Sequence, residues 1–484
     1  MVLPSGGRVG RRQALFIPSA VSSLRLIKMQ IPYTVPYNMR NLLRRSLYSE
    51  RIHLFMYFGG IILCGSLILI LPGMWKGADS LSYLDALFTS TSAVCVTGLI
   101  TVDTAQYSRA GQVVILILME AGGLGLITFA TLLLATPKKK ISFVNAGIIK
   151  KYYIENVEFR TSRIVRNIVI FTLFLELLGS AFLYIGFKGR GIEKAIFVSL
   201  FHAVSAFCNA GFSTFSNNLE SFSDDWIVNM SIMCLIVSGG LGFLVIQDIS
   251  RRIRRTKKRL QLHSTIVIRM TVSLIFGAAA LYYIFEREHA YAGFSQSQKI
   301  LASLFQSVTT RTAGFDTVNQ AFLSLPSKVL TIPLMFIGGS SGSTAGGIKT
   351  TTAFLVLYSI FKGTDKKSEM RVGHFKISSE TINNAFIFTI KALMILFISM
   401  FTLIIAESRS ADPKSFLDIM FECVSAFGTV GLSLGITAKL TAVGKVIIIL
   451  TMFAGRVGLI AMAIPFVHRD PGNIDYPKGE VLVG

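Results

Sequence analysis

The chain has 484 residues, of which 52% are hydrophobic and only 15% are charged, and its net charge is +22. Soluble domains usually carry about 25% charged residues, so this composition excludes an ordinary soluble protein and indicates a chain that lies mostly in lipid. The basic residues cluster between apolar stretches, which is typical of cytoplasmic loops rather than of a nucleic-acid-binding surface.

Residues 1–50 are polar and basic and precede the first long apolar stretch. The apolar patch at residues 14–26 is interrupted by serine and proline, so it is too broken to span a bilayer. It has no cleavage site typical of a signal peptide. We predict a cytoplasmic N-terminal arm; alternatively, Met29 is the true start and residues 1–28 do not belong to the native chain.

From residue 51 onward, one pattern occurs four times: a long apolar helix, a short apolar segment that ends in a glycine motif, and a second long apolar helix. The aligned glycines are Gly98, Gly211, Gly314 and Gly431, and each is followed by Leu or Phe. The middle segment is only about 10 to 14 residues long, too short to cross a bilayer, which predicts a re-entrant helix. The predicted units are 51–140, 141–255, 256–365 and 366–470, with a cytoplasmic tail at 471–484.

The links between the units are more basic than the links within them. By the positive-inside rule, the links between units and both termini are cytoplasmic. We therefore predict an all-α protein of the plasma (inner) membrane with four helix, pore-helix, helix units. Its eight transmembrane helices and four re-entrant helices would form a pseudo-fourfold arrangement around one pore.

Small or uncharged residues precede each glycine, so main-chain carbonyls would line the pore and replace the hydration shell of a cation. Glycine permits the positive φ that such a turn requires. The re-entrant helices would aim their partly negative C-terminal ends at the centre, which favours cations. The predicted ion-binding residues, named here the four glycine segments, are Val96, Thr97 and Gly98; Asn209, Ala210 and Gly211; Thr312, Ala313 and Gly314; and Thr429, Val430 and Gly431.

The same strings resemble the Trk/Ktr/HKT superfamily of potassium-translocating membrane subunits. The resemblance covers roughly residues 50–470 and rests on SAVCVTGL, FHAVSAFCNAGFS, TTRTAGFDT, GGSSGSTAGGIKTTT and AGRVGL. Eight spans without an extra N-terminal helix pair are most similar to the KtrB membrane subunit. The resemblance implies potassium selectivity, because sodium-favouring plant members have serine where this chain has Gly98; the spacing alone indicates only a cation.

The second long helix of unit 3 contains a glycine- and hydroxyl-rich stretch at residues 337–349. Glycine costs about 1 kcal/mol per helical position relative to alanine, so the helix should break here. The superfamily resemblance implies an intramembrane gating loop at this place. The string is not a P-loop, since Ile348 separates Gly347 from Lys349 and no strand precedes it. The predicted gate consists of Gly338, Gly339, Ser340, Ser341, Gly342, Ser343, Thr344, Ala345, Gly346, Gly347, Lys349 and Arg456.

Arg456 is a charge near mid-membrane, where charges are rare and usually functional. The resemblance implies an electrostatic barrier beneath the filter; the alternative is a buried ion pair with Glu120 or Glu176. Arg311 is expected to brace the third glycine segment from behind, with Glu422 as a possible partner. Small-residue motifs at 122–125 and 239–242 predict close helix packing.

These patterns predict a potassium uptake subunit with a channel-like pore and no enzymatic activity, because no catalytic constellation is present. The alternative is a sodium- or proton-coupled symporter, although such transporters typically have two related halves. A membrane scaffold or receptor would not explain four buried glycine turns. The cysteines have no paired spacing, so we expect no zinc site, no cofactor and no metal beyond the transported K⁺. The resemblance implies a homodimer and a nucleotide-binding regulatory ring on the cytoplasmic face, where basic loops would equally suit anionic lipid.

Overall fold

A computed structural model describes residues 50–135, 161–256, 259–362, 370–410, 412 and 414–458. From Leu54 onward these residues belong to one compact unit. The helices are α1 (Glu50–Leu69), α2 (Tyr83–Val94), α3 (Arg109–Ala135), α4 (Thr161–Gly189), α5 (Ala195–Cys208), α6 (Trp226–Leu241), α7 (Phe243–Ile253), α8 (Leu262–Glu286), α9 (Gln296–Thr309), α10 (Leu325–Phe336), α11 (Thr350–Lys362), α12 (Ser379–Glu407), α13 (Phe416–Gly428) and α14 (Ala442–Phe453). The strands β1 (Met370–Val372) and β2 (Phe375–Ile377) form an antiparallel hairpin between α11 and α12.

The element order follows the predicted repeat. A long helix (α1, α4, α8 or α12) precedes a short helix (α2, α5, α9 or α13), which ends just before one of the four aligned glycines. A second helix or pair of helices completes each repeat. The predicted boundaries at 140 and 365, the N-terminal arm and the C-terminal tail lie outside the described residues.

Three helices of the described residues are long and apolar enough to cross a membrane: Val165–Gly189, Leu262–Glu286 and Ser379–Glu407. The α6–α7 pair would add a fourth span, although the two helices are bent by 100° relative to one another. On α12, exposed apolar side chains such as Phe397 and Phe401 form an outward face suited to lipid. The set of eight transmembrane helices remains a prediction.

In unit 2 the predicted second long helix is not continuous, so the prediction is wrong for residues 226–249. The helix breaks at Gly242, whose φ of +82° and ψ of 149° lie in a region that side chains with a Cβ rarely adopt. In unit 3 the predicted break is present, since α10 ends at Phe336 and α11 begins at Thr350. After α14 the chain continues as a π-helical turn, Ala454–Gly458.

Buried carboxylates join the first helix of a unit to its second helix. Glu286, at the end of α8, accepts hydrogen bonds from the Ser324 amide (2.9 Å) and hydroxyl (2.6 Å) just before α10. Glu407, at the end of α12, binds the Thr441 amide (2.9 Å) and hydroxyl (2.7 Å) before α14 in the same way. Hydrogen bonds to charged groups contribute about 1.5–3 kcal/mol each to the stability of the fold. These contacts therefore hold the end of the first helix against the start of the second, on either side of the re-entrant segment.

Candidate ion pathway

The four glycine segments have nearly the same backbone conformation. The aligned glycines have φ values of +93°, +69°, +75° and +96° in chain order. The residue two positions earlier also has positive φ in every segment, although none is glycine: Val96 (56°), Asn209 (59°), Thr312 (73°) and Thr429 (50°). Positive φ at a β-branched residue is a genuine outlier, so its recurrence in three of the four segments indicates a conformation that the surrounding fold imposes.

The four segments close into a ring. A Cβ added to Gly98 would lie 2.6 Å from the carbonyl oxygen of Ala210, and one added to Gly211 would lie 2.8 Å from that of Ala313. A Cβ on Gly314 would collide with the Val430 carbonyl, and one on Gly431 with the Thr97 carbonyl. Each glycine therefore faces the carbonyl that precedes the glycine of the next unit, in the order 1, 2, 3, 4 and back to 1.

Hydroxyl groups of the short helices hold the ring from behind. Ser92 and Ser425 accept hydrogen bonds from the amides of Gly98 (3.0 Å) and Gly431 (3.1 Å). In unit 2, Ser205 donates to the carbonyl that follows the glycine motif (2.8 Å), and Thr309 does the same in unit 3 (2.7 Å). The sequence analysis missed these residues. Their signal was a serine six residues before the glycine in three units, with a threonine five residues before it in unit 3.

A cavity of about 250 Å³, named here the vestibule, opens on one side of the ring. All four aligned glycines line it, together with three acidic side chains: Asp103, Glu220 and Asp316. Burial raises the pKa of Asp316 to about 8, so this carboxyl is mostly protonated at neutral pH and adds little negative charge. A concave surface that carries ionised acidic groups raises the local concentration of counter-ions, so the remaining acidic side chains favour cations in the vestibule.

The loop at residues 337–349 is closed on itself. Ile337 and Ile348 form a parallel bridge, and Gly338 N donates to the Ile348 carbonyl (2.9 Å). Lys349 Nζ donates to the Ala345 carbonyl within the same loop (2.6 Å). These contacts bring α10 and α11 together at the base of a compact loop.

Contacts of this loop lie on the other side of the glycine ring from the vestibule. Thr344 Oγ1 accepts a hydrogen bond from Asn209 Nδ2 (2.8 Å) and donates to the Phe207 carbonyl (3.1 Å). A Cβ on Gly346 would collide with Thr429 Oγ1. The vestibule is lined by the glycines and by residues after them, whereas the loop contacts residues before them, so the ring lies between the vestibule and the loop.

Arg456 lies beside the loop rather than in an ion pair. Its Nη1 donates to the Thr344 carbonyl, and its Nε and Nη2 have no hydrogen-bond partner although the side chain is buried. The alternative of an ion pair with Glu120 or Glu176 is wrong, because those carboxyl groups instead approach one another. The structure therefore places Arg456 and Thr344 of the predicted gate together.

Glu422, named above as one candidate partner for Arg311, does not pair with it. Glu422 accepts hydrogen bonds from Ser433 (2.8 Å) and Thr437 of its own unit, so its oxygens are already satisfied. Arg311 is buried, and its Nε has no hydrogen-bond partner.

Glycines of the second helices pack tightly on the short helices, as the small-residue motifs predict. A Cβ on Gly122 would collide with the Val94 carbonyl, and one on Gly239 with the Phe207 carbonyl. Both carbonyls belong to the residue four positions before the aligned glycine of their unit. This close approach explains why glycine is required at these positions of α3 and α6.

Known proteins with this sequence pattern identify the family. The family described as TrkH cation transport proteins matches residues 56–475. The chain belongs to this family. It is 38% identical over 429 residues to the Ktr system potassium uptake protein B of Bacillus subtilis, a match that covers 87% of this chain and 94% of that protein.

Two further proteins extend the comparison. The potassium/sodium uptake protein NtpJ of Enterococcus hirae is 36% identical over 441 residues, which cover 88% of this chain and 95% of that protein. The crystal structure of the potassium transporter TrkH from Vibrio parahaemolyticus has a TM-score of 0.69 and 18% identity, and the match covers 86% of this chain and 85% of that one. The relatives are membrane cation transporters, and none of those named is an enzyme. The fold is therefore that of TrkH.

Proposed function

We propose that this chain takes up potassium across the plasma membrane through one channel-like pore, with the four glycine segments as its selectivity filter. The observation that carries the proposal is the closed ring in which each aligned glycine faces a carbonyl of the next unit. Carbonyl oxygens held around one axis replace the hydration shell of a cation. The arrangement of four units with eight transmembrane helices around this pore is part of the proposal.

The electrostatics of the ring support a cation rather than an anion. The short helices α2, α5, α9 and α13 end just before the glycines, so the partly negative ends of their dipoles point toward the ring. The acidic side chains of the vestibule add to this field on one side. Potassium is proposed over sodium because all four segments keep glycine and because relatives are named as potassium uptake proteins.

The loop at residues 337–349 and Arg456 form the gate in this proposal. The loop contacts unit 2 through Asn209 and approaches unit 4 at Thr429, so it lies across the pathway directly beside the ring. A buried guanidinium with two unpartnered nitrogens adds a positive charge to the same place. Passage of a cation then requires both to move.

Sodium coupling is the second candidate, because NtpJ is named a potassium/sodium uptake protein. A sodium- or proton-coupled symporter would require uptake of potassium to depend on the gradient of the second ion. The closed ring of four carbonyls supports the channel-like mechanism, because one central ring offers a single row of ion-binding sites and no separate site for a second ion.

The proposed assembly follows from relatives that are named as potassium uptake proteins of the Ktr system. We expect a homodimer in which each protomer has its own pore, and a nucleotide-binding regulatory ring that binds the cytoplasmic face. Both termini and the basic links between units lie on that face, where they also meet anionic lipid.

Ion flux into liposomes that contain the purified chain tests the proposal. Under an imposed potential we expect potassium flux to exceed sodium flux, and Gly98→Ser to reduce this preference. Gly277→Ser, at a helical position where a Cβ would meet nothing within 4 Å, is the matched control. Potassium uptake that stops when an inward sodium or proton gradient is removed would support the symporter instead. If the purified chain alone gives no flux, co-reconstitution with the regulatory ring and nucleotide shows whether the pore is closed or whether the chain has no pore.

A further inference from the structure

Two glutamates and a cysteine that the proposed transport mechanism does not use meet inside the helical body. Glu120 belongs to α3, Glu176 to α4, and Cys208 is the last residue of α5. One carboxylate oxygen of each glutamate and the thiol sulfur all lie within 4.8 Å of one another. Cys208 Sγ is 3.4 Å from Glu120 Oε2, and the two carboxyl groups are within hydrogen-bonding reach of each other.

The glutamates have oxygens that lack partners. Glu176 is only 2% exposed, and its Oε1 has no hydrogen-bond partner; Glu120 Oε1 has none either. No basic side chain of the described residues forms an ion pair with either carboxylate. Two buried carboxylates in contact cannot both stay charged unless a cation lies between them; without a cation, they must share a proton. The unpartnered Glu176 oxygen therefore indicates a missing ligand.

We propose that Glu120, Glu176 and Cys208 bind one thiophilic divalent cation of the Zn²⁺ class. Carboxylate and thiolate are both ligands of Zn²⁺, at about 2.1 and 2.3 Å, and two such tetrahedral ligands stand about 3.6 Å apart. The Cys208–Glu120 separation of 3.4 Å is close to that spacing. Binding displaces to solvent the thiol proton and the proton shared by the carboxyls. A thiolate ligand also discriminates against the alkali ions that the pore conducts.

The site is coupled to the ring through one residue. Cys208 immediately precedes Asn209, whose side chain binds Thr344 of the 337–349 loop (2.8 Å). A cation bound here would tie the second glycine segment to α3 and α4. If the proposed function is correct, the cation should therefore reduce potassium flux, but binding itself does not depend on transport.

The test uses the full-length protein in detergent with its affinity tag removed and the exposed Cys64 and Cys234 replaced by serine. Cd²⁺ is the probe, followed by calorimetry and by the ultraviolet charge-transfer absorption of a cadmium thiolate. We expect one Cd²⁺ per chain with that absorption. Cys208→Ser should abolish the absorption, and Glu176→Gln should weaken binding by at least about tenfold.

Cys95→Ser is the matched control. Cys95 stands three residues before Gly98, as Cys208 stands before Gly211, but it belongs to no metal-ligating group of the described residues. It should leave Cd²⁺ binding unchanged. Absence of stoichiometric binding, or equal affinity in Glu176→Gln, would mean that the carboxyls share only a proton and would overturn the proposal. Glu176→Gln is nearly isosteric, so it decides the matter even if Cys208→Ser does not fold.

Discussion

In every glycine segment, positive φ occurs at the glycine and two residues before it, and each glycine faces the carbonyl of the next unit. The second helices of the same four units differ from one another. In unit 1, α3 is continuous, and in unit 2 the helix bends by 100° at Gly242. In unit 3 it opens into the 337–349 loop, and in unit 4 α14 continues as a π-helical turn that carries Arg456.

This difference has a steric origin. Four equivalent segments are needed to close one ring, so a different backbone conformation in any one segment would open the ring at that unit. A single axis, however, has room for only one loop beside the ring, and the other second helices provide its contacts. Gly239 and Gly240 offer carbonyls to the amides of Thr344 (3.2 Å) and Ser340 (2.9 Å), and Arg456 binds the Thr344 carbonyl. The second helices therefore differ because one of them forms the loop and the others contact it.

The largest expected effect tests the equivalence of the ring. Alanine at any of the four aligned glycines should severely reduce potassium uptake, because positive φ costs of order 1–3 kcal/mol for a residue with a Cβ, and each Cβ meets a carbonyl. Uptake by a potassium-uptake-deficient bacterium that expresses each variant at equal level measures this. Gly277→Ala should behave as the parent protein. A single glycine whose replacement leaves uptake and selectivity unchanged would show that the ring is not fourfold in function.

The sequence predicted the ring and the loop better than the bend. The glycine segments were found because they repeat, and residues 337–349 because glycines and hydroxyls crowd a helix. Residues 122–125 and 239–242 have the same letters, GGLG. The first lies within continuous α3, whereas the second ends α6, where Phe243 N binds the Gly342 carbonyl (3.3 Å). Identical local sequence cannot distinguish these outcomes, because the loop that docks on Gly242 comes from another unit.

The cluster of Glu120, Glu176 and Cys208 was not predicted for a related reason. Its members come from three helices, and no spacing along the chain indicates that they meet. The alternative in which one glutamate pairs with Arg456 was reasonable from charge alone. Only the packing of α3, α4 and α5 shows that the carboxyls approach each other instead.

The second prediction concerns Arg456, which belongs to the second helices, where the four units differ. Two unit charges about 8 Å apart at an effective dielectric constant of about 20 repel by about 2 kcal/mol, which corresponds to on the order of 30-fold in rate. Arg456→Ala should therefore raise basal potassium flux by up to that factor in liposomes. Arg456→Gln removes the charge but keeps a donor for the Thr344 carbonyl. It therefore distinguishes the effect of the positive charge from the effect of the hydrogen bond. Arg269→Gln, at an exposed position of α8, is the control. Reduced flux through well-folded Arg456→Ala would contradict a barrier.

The bend at Gly242 gives the smallest expected effect and the closest internal control. Gly242→Ala places a Cβ at φ +82°, 3.1 Å from the carbonyl oxygens of Ser341 and Gly342, so it should destabilise the protein by about 1–3 kcal/mol and loosen the loop. Gly240→Ala, two residues earlier in α6, meets only Asn209 Nδ2 at 3.8 Å and gains helix propensity. Thermal unfolding in detergent and basal flux compare the pair. If both variants keep the stability and the basal flux of the parent protein, the bend at Gly242 is not needed for the loop to pack.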